Sequence, residues 1–417
     1  MKIEKFVVIG LFDLYNHTLD FKTKYSSKSQ TEEASVIMMF GRNGIGKTTI
    51  LRMIEGLMNL NFDVFRNTTF KSACLTFSNG KEISVTGAYE EESQDLKYLI
   101  VRYNNLETKL HPSKRGALSP EEKEDETNFI KVYNSDLDKF SFEFIDTERL
   151  IRRNIKDQMI LEEDLYKGKI IRKKKNEESE YLVEKVKDFI RDSQVNYSRY
   201  FSSEEPELFD RILRNLDESK KISQTSLLER IKELIASEKK YKIDYLGLSK
   251  EKWDKKKLEN RIKGSKSDQN KLTIIASYLE VLESRNVERM NLAERLLTFE
   301  KLLNELLHDK SISINQDGFV IKSKNKKNEE LSVNKLSTGE YHLIYLTALA
   351  LCTKVKGTVI AIDEPEMSMH IGWQRKLIGT LTKISSKASP QMIFATHSPD
   401  ISVNYSNSLT TTDYEQN

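Results

Sequence analysis

Cysteine is almost missing from the chain. The two present, Cys74 and Cys352, lie far apart with no Cys-x-x-Cys pair or Cys/His cluster, which excludes a disulfide scaffold and argues against a zinc site. Only 6 prolines and 16 glycines occur in 417 residues, so collagenous and low-complexity readings fall away. No run of 18 apolar residues exists, and residues 1–10 lack the apolar core and small-residue cleavage site of a signal peptide. Neither a membrane span nor export is therefore expected, and the expected compartment is the cytoplasm. An excess of one charge is lacking too: 67 Lys and Arg against 64 Asp and Glu leave +3. That is too little for a globally basic nucleic-acid binder, so any contact with a phosphate backbone has to be local.

What the chain has in quantity is balanced charge, 31% charged beside 38% apolar residues, the mixture of a soluble protein with long solvated helices. Its length suggests two or three domains at about 150 residues each. Residues 1–148 read as a mixed α/β lobe: strands at 6–9, 19–21 and 36–40, a helix over 48–60 with Ile50, Leu51, Ile54, Leu57 and Met58 at helical spacing, a hairpin of 74–77 and 83–85 around Asn79-Gly80, and a strand at 142–145. Gly and Pro then almost vanish and Lys, Glu, Arg, Leu and Ile dominate over residues 149–308, which predicts a helical insertion. Leu292, Leu296, Phe299, Leu303 and Leu306 alternate spacings of four and three, a packed helix seam, and shorter stripes at 182–189, 208–216 and 227–234 point to a short bundle of two to four helices. Residues 309–417 return to β-rich sequence, with strands at 312–314, 319–321 and 331–333 and a turn at Gln316-Asp317-Gly318.

Two segments carry recognisable chemistry. Gly41-Arg42-Asn43-Gly44-Ile45-Gly46-Lys47-Thr48-Thr49 fits G-x-x-x-x-G-K-[ST] between an apolar strand and an amphipathic helix. Glycines let backbone N–H groups wrap phosphates, the helix N-terminus favours the anion, Lys47 reaches the β and γ phosphates and the Thr48 hydroxyl is a ligand for Mg²⁺. Val359-Ile360-Ala361-Ile362-Asp363-Glu364 is a buried-type strand ending in two acids. Asp363 suits the metal and its water shell, and Glu364 suits polarisation of an attacking water.

With Leu336-Ser337-Thr338-Gly339-Glu340 ahead of an apolar helix, the chain resembles ABC-type ATPases. Asp363-Glu364-Pro365-Glu366-Met367-Ser368-Met369-His370 and Phe394-Ala395-Thr396-His397-Ser398-Pro399 are similar to the second acidic motif with its D-loop and to the switch histidine of the SMC, RecF and OLD branch. The resemblance covers residues 1–148 and 309–402. It implies an α/β ABC-type P-loop ATPase head, a mixed sheet with flanking helices, interrupted by a helical arm or short coiled-coil bundle, with ATP and Mg²⁺ as cofactors. It also implies head-to-head dimers in which Ser337 and the Gly339 N–H of one copy bind the γ-phosphate held by Lys47 of the other. His397 would then sense that phosphate; taken alone it reads equally as a core histidine. No Q-loop glutamine is found. The segment Phe144-Ile145-Asp146-Thr147-Glu148-Arg149 stands where a strand should hand over to the arm, leaving Glu148 or Arg149 to couple nucleotide to arm or simply to close a strand-end ion pair.

Basic clusters at 167–175, 255–257 and 322–327 read either as solvated faces or as a DNA or RNA track. Three functions follow. The first is an ATP-driven switch that senses nucleic acid or phage components, resembling the ATPase subunits of the Septu and PARIS antiphage systems and the ATPase half of OLD nucleases. About 20 residues after His397 are too few for a nuclease in cis, so cleavage would fall to a separate HNH or TOPRIM effector. The second is a RecF- or SMC-like DNA-repair ATPase, and the third an ATP-locked scaffold that turns over slowly and stores an effector. No membrane partner is expected.

Overall fold

The computed structural model describes residues 2–21, 35–90, 96–110, 120–137, 140–146, 159–163, 170–174, 177–217, 221–248, 254–265, 268–325, 329–353, 357–386, 388–402, 405 and 409–411. The chain packs as two units, Met1–Lys173 with Thr353–Asn417, and Lys174–Cys352.

In the first unit an antiparallel sheet runs in the order β2-β1-β4-β5-β6-β7, from β1 (Ile3–Leu11), β2 (Tyr15–Asp20), β4 (Ser72–Phe77), β5 (Glu82–Tyr89), β6 (Leu96–Tyr103) and β7 (Leu106–Leu110). Its strands bury alternate residues, such as Ala73, Leu75 and Phe77 of β4, because only one face meets the core. The second sheet, in the order β16-β3-β15-β14-β8, consists of β3 (Ser35–Phe40), β8 (Phe142–Asp146), β14 (Val359–Asp363), β15 (Gln391–Thr396) and β16 (Leu409–Thr411). All its pairings are parallel. β14 and β15 are buried at every residue, as strands covered on both faces must be, and that is why they read as unbroken apolar runs. Helix α1 (Lys47–Asn59) touches strands of both sheets, and the one-turn helix α2 (Asp63–Arg66) follows it. A single core runs from Phe6 and Leu75 through Leu51 and Ile54 to Ala361 and Ile393.

β6, β7 and helix α3 (Pro120–Leu137) were not expected from the sequence. The first half of α3 is Pro-Glu-Glu-Lys-Glu-Asp-Glu, without apolar periodicity; its anchors Phe129, Tyr133 and Leu137 crowd the last half. A second difference lies at the start of the expected helical insertion, where β9 (Met159–Glu163) and β10 (Ile170–Lys174) form a two-stranded sheet. Short apolar runs on either side of Gly168 are a hairpin pattern, masked by the surrounding Lys and Glu.

Among its described residues the second unit holds four helices, α4 (Glu177–Asp217), α5 (Gln224–Lys240), α6 (Lys255–Gly264) and α7 (Gln269–Leu306), then the three-stranded sheet β11 (Lys310–Asn315), β12 (Gly318–Ser323), β13 (Glu330–Leu331), and helix α8 (Thr338–Cys352). Leu296, Phe299, Leu303 and Leu306 of the expected seam are buried, while Ala293 takes the buried place next to half-buried Leu292. Sequence placed the strands after residue 308 with the C-terminal lobe; they pack with the long helices instead. Asn304 and Glu300 of α7 explain this, because Asn304 bonds both the N–H and the carbonyl of Ile312 at 2.7 and 2.8 Å and Glu300 accepts from the Ile314 N–H at 2.9 Å. α7 thus satisfies an edge of β11 that would otherwise stay open. At the opposite end of α4 and α7, helices α5, α6 and α7 share a small core of Leu227, Ile231, Leu234, Ile262, Leu272, Ala276, Leu279 and Leu282. Among the described residues no helix is long and apolar enough to cross a membrane.

Candidate nucleotide site

The carboxyl ends of β3, β14, β15 and β8 lie side by side, with Phe40 beside Thr396, Ala395 beside Asp363, and Asp363 beside Asp146. Open α/β sheets bind ligands at such an edge. From β3 the chain turns through residues 41–46 into α1. Gly44 and Gly46 take φ of 88° and 90°, and a Cβ on Gly46 would meet Leu11 Cδ2 at 2.7 Å and Phe12 Cε2 at 3.3 Å. Backbone handedness and close packing therefore both require glycine there. Arg42, Asn43 and Gly44 are exposed, Ile45 is buried, and Thr49 is half-buried.

Lys47 folds back over the loop, its Nζ donating to the carbonyls of Gly41 at 2.9 Å and Arg42 at 3.0 Å. Burial lowers the pKa of this ammonium, against the opposing charges of Glu364, Asp363 and Glu366. Thr48 Oγ1 donates to Asp363 Oδ2 at 2.6 Å, joining the two halves of the site across 315 residues. Asp363 is buried, and burial pushes its carboxyl up to about 6, opposed by the Thr48 hydrogen bond and the charge of Lys47; Glu364 and Asp146 add to the rise. A hydroxyl and a carboxylate at this separation are hard oxygen donors of the kind Mg²⁺ takes beside substrate phosphates.

Glu364 follows β14 in the left-handed region at φ 47°, where a non-glycine residue is strained and strain clusters at functional sites. Its N–H bonds the Ala395 carbonyl at 2.8 Å. His397 leaves the end of β15 with its side chain 48% exposed, Nδ1 lying 3.6 Å from Glu364 Oε1 and 3.3 Å from Glu366 Oε1. It is therefore a site-facing histidine and not a core one.

Three further features of this site escaped sequence reasoning. Glu366, quoted above only as part of a motif, is buried, and its Oε1 accepts from Thr396 Oγ1 at 2.6 Å, His397 N at 3.0 Å and Ser398 N at 3.1 Å. It ties the acidic segment to the histidine segment. His17 of β2, 1% exposed, reaches the Ile45 carbonyl from Nε2 at 3.0 Å and so props the loop from behind. Asp146, beside Asp363, pairs with Arg52 of α1 at 2.8 Å. Arg52 also lines a polar cavity of about 450 Å³ together with Thr49, Glu55 and Phe144. Glu148 and Arg149 lie outside the described residues. A lone His in a strand and an acid inside a known motif give no periodic signal that could have flagged them.

In the other unit, residues 336–340 open α8. Ser337 Oγ accepts from Glu340 N at 3.3 Å and Glu340 Oε2 accepts from Ser337 N at 2.7 Å, a reciprocal capping box. Lys310 Nζ lies 2.7 Å from Glu340 Oε1; although burial raises the Glu340 carboxyl, the bonds from Lys310 and Ser337 outweigh it and hold it below its ordinary value. Leu336 closes a single 3₁₀ turn, N–H to the Val333 carbonyl at 3.1 Å. Ser337 and Thr338 are exposed and Gly339 is buried, so the hydroxyl that caps the helix keeps its own proton available to a ligand.

The sequence model of a family described as AAA ATPase domain matches residues 1–402. No curated protein matches the chain. Among solved structures it is similar to the Smc head domain with an extended coiled coil bound to the C-terminal domain of ScpA from Pyrococcus furiosus, at 14% identity over 97% of this chain and 91% of that one with a TM-score of 0.39. It is also similar to the SmcHead bound to the C-winged helix domain of ScpA, at 12% identity over 97% and 92% with a TM-score of 0.40. A third similar structure is the Smc head domain with a coiled coil and joint from Pyrococcus yayanosii, at 14% identity over 97% and 93% with a TM-score of 0.38.

Proposed function

The chain belongs to the AAA ATPase domain family, and from that premise we propose that it binds and hydrolyses Mg-ATP at residues 41–49, Asp363, Glu364 and His397, and uses the cycle as a switch over a separate effector. The observation that carries this reading is the 2.6 Å bond from Thr48 to Asp363, which joins the phosphate loop to the acidic strand end with Glu364 and His397 alongside. Thr48 and Asp363 would hold Mg²⁺, which would supply positive charge to offset that of the phosphates.

Lys47 has two carbonyl partners to exchange for β and γ oxygens, an arrangement that keeps a partly desolvated cation satisfied until the anion arrives. Glu364, aimed by its backbone bond to Ala395, accepts the proton of the attacking water. His397, anchored at its N–H by Glu366, donates to the γ-phosphate. The exposed Ser337 hydroxyl and the N-terminus of α8 are anion donors that a second copy presents to the same phosphate, giving a head-to-head dimer. The motif resemblance to the Septu, PARIS and OLD ATPases supports antiphage defence as the setting and an HNH or TOPRIM nuclease as the effector. Nucleic acid is the signal this reading favours.

Phosphate release and oligomer mass, recorded together with and without duplex DNA or tRNA, test the switch. Turnover that rises with nucleic acid while the mass changes with the nucleotide is the expected result. Slow, unresponsive turnover in an assembly that persists in ATP would replace the switch with a scaffold.

A further inference from the structure

Residues 221–263 contain thirteen Lys and Arg and seven Asp and Glu, a net +6 in a chain whose total is +3. Helix α6 is the densest part. Its apolar residues turn inward, Ile262 buried in the small core and Leu258 packed against it. Opposite them Lys256, Lys257, Asn260, Arg261 and Lys263 are exposed, and at 100° per residue these five positions cover a face about 160° wide with no acid on it.

The charges divide by direction. Lys255, at the edge, lies 2.8 Å from Glu238 of α5, and Arg230 makes two bonds to Glu283 of α7 at 2.7 and 2.8 Å. Lys256, Lys257, Arg261 and Lys263 make no ion pair among the described residues. The Lys255 contact sets the start of α6 beside the last turn of α5, which adds Lys239 and Lys240. Just beyond it Lys240 and Lys242 lie 5.1 and 6.0 Å from the rings of Tyr241 and Tyr245.

We infer that this face of α6 binds the phosphate backbone of a nucleic-acid duplex. The inference rests on the nucleic-acid signal proposed above and gives it a place. Four cations with no ion pair among the described residues, along about 10 Å of helix, suit a polymer carrying one charge per about 1.7 Å of axis. A membrane-surface helix would need an apolar face free to insert, whereas Leu258 and Ile262 are used in the core. A protein interface would need an apolar or aromatic anchor at its centre, and the exposed face has none. Contacts of this kind position a duplex without reading its sequence.

The test is fluorescence anisotropy of a labelled mixed-sequence DNA duplex with the full chain. Four contacts predict an affinity about 150-fold weaker on raising salt from about 50 to about 200 mM. Replacing Lys256, Lys257, Arg261 and Lys263 together by Glu should weaken binding about 100-fold or more, with unchanged helical circular dichroism and unchanged ATP turnover in the absence of DNA. The same four changed to Gln, which keeps helix propensity, should show the same loss in weaker form. Lys2, Lys97, Lys131 and Lys383, exposed lysines of the first unit, changed together to Glu, should matter far less. If the wild type binds duplex and both α6 variants bind equally well, the location is wrong although nucleic-acid sensing stands. If the wild type binds no duplex, sensing fails and this inference fails with it. Binding of phosphatidylserine vesicles in preference to duplex would also overturn it, in favour of a membrane surface.

Discussion

A carboxylate oxygen that accepts three hydrogen bonds inside the protein cannot move without stranding its donors, and Glu366 Oε1 is in that position, with Thr396 Oγ1 and the N–H groups of His397 and Ser398 upon it. In the proposed site it would act through His397, as a positioning residue. Glu366→Ala should cost about 3 kcal/mol in unfolding free energy, because buried donors lose their acceptor. In steady-state kinetics kcat should fall while KM for ATP changes little; a change confined to KM would place Glu366 in substrate binding instead. His17 works on the other side of the loop. Burial holds its imidazole below the ordinary value of 6.5, while the bond to the Ile45 carbonyl acts in the opposite direction. The unfolded chain then takes up a proton before the folded one does, so this contribution to stability is whole above pH 6.5 and is lost as pH falls toward the lower folded-state value. Thermal midpoints at about pH 7.5 and about pH 5.5 should drop further for the wild type than for His17→Gln. Equal drops would mean that His17 does not titrate in that window.

Helices were legible where their apolar stripe was sustained and hidden where it was not. α1 and α7 announced themselves through residues that the structure buries, Ile50, Leu51, Ile54 and Leu57 in one and Leu296, Phe299, Leu303 and Leu306 in the other. α3 did not, because its first seven residues, Pro-Glu-Glu-Lys-Glu-Asp-Glu, include no apolar stripe, and in β6 and β7 the residues Lys97, Arg102, Glu107 and Lys109 interrupt the strand pattern. The seam of α7 offers a direct check: Phe299, fully buried and 6.2 Å from the ring of Phe319, should cost about 3–5 kcal/mol when changed to Ala, read as a shift of the denaturant midpoint. At α8 two roles of one side chain can be separated. Asp is as good an N-cap as Ser, so Ser337→Asp should leave thermal stability within about 0.5 kcal/mol yet abolish ATP-dependent dimers in light scattering, since its charge opposes the γ-phosphate. Dimers that survive would remove Ser337 from the phosphate site.

Across the whole molecule, the sequence shows contiguous stretches whereas the structure shows what packs with what. Residues 41–49 and 359–364 read as halves of one site from chemistry alone, and Thr48 and Asp363 do touch. The unit containing them also takes in Thr353–Asn417, while the segment 336–340 belongs to the unit of the long helices. No periodicity marks that division, because it depends on Asn304 and Glu300 completing the edge of β11. Charge is divided as unevenly as packing: a near-neutral total conceals +6 on residues 221–263, which composition averages away and only local counting shows.

Whether Glu364, Lys47 and Asp363 form a working ATP site is tested most directly by single-turnover hydrolysis by wild type and Glu364→Gln, with ATP affinity measured alongside. Wild type should convert bound ATP to ADP, while Glu364→Gln should bind ATP with similar affinity and hydrolyse it about 100-fold more slowly or worse, the scale of a lost general base. Hydrolysis at the wild-type rate by Glu364→Gln would contradict the assignment.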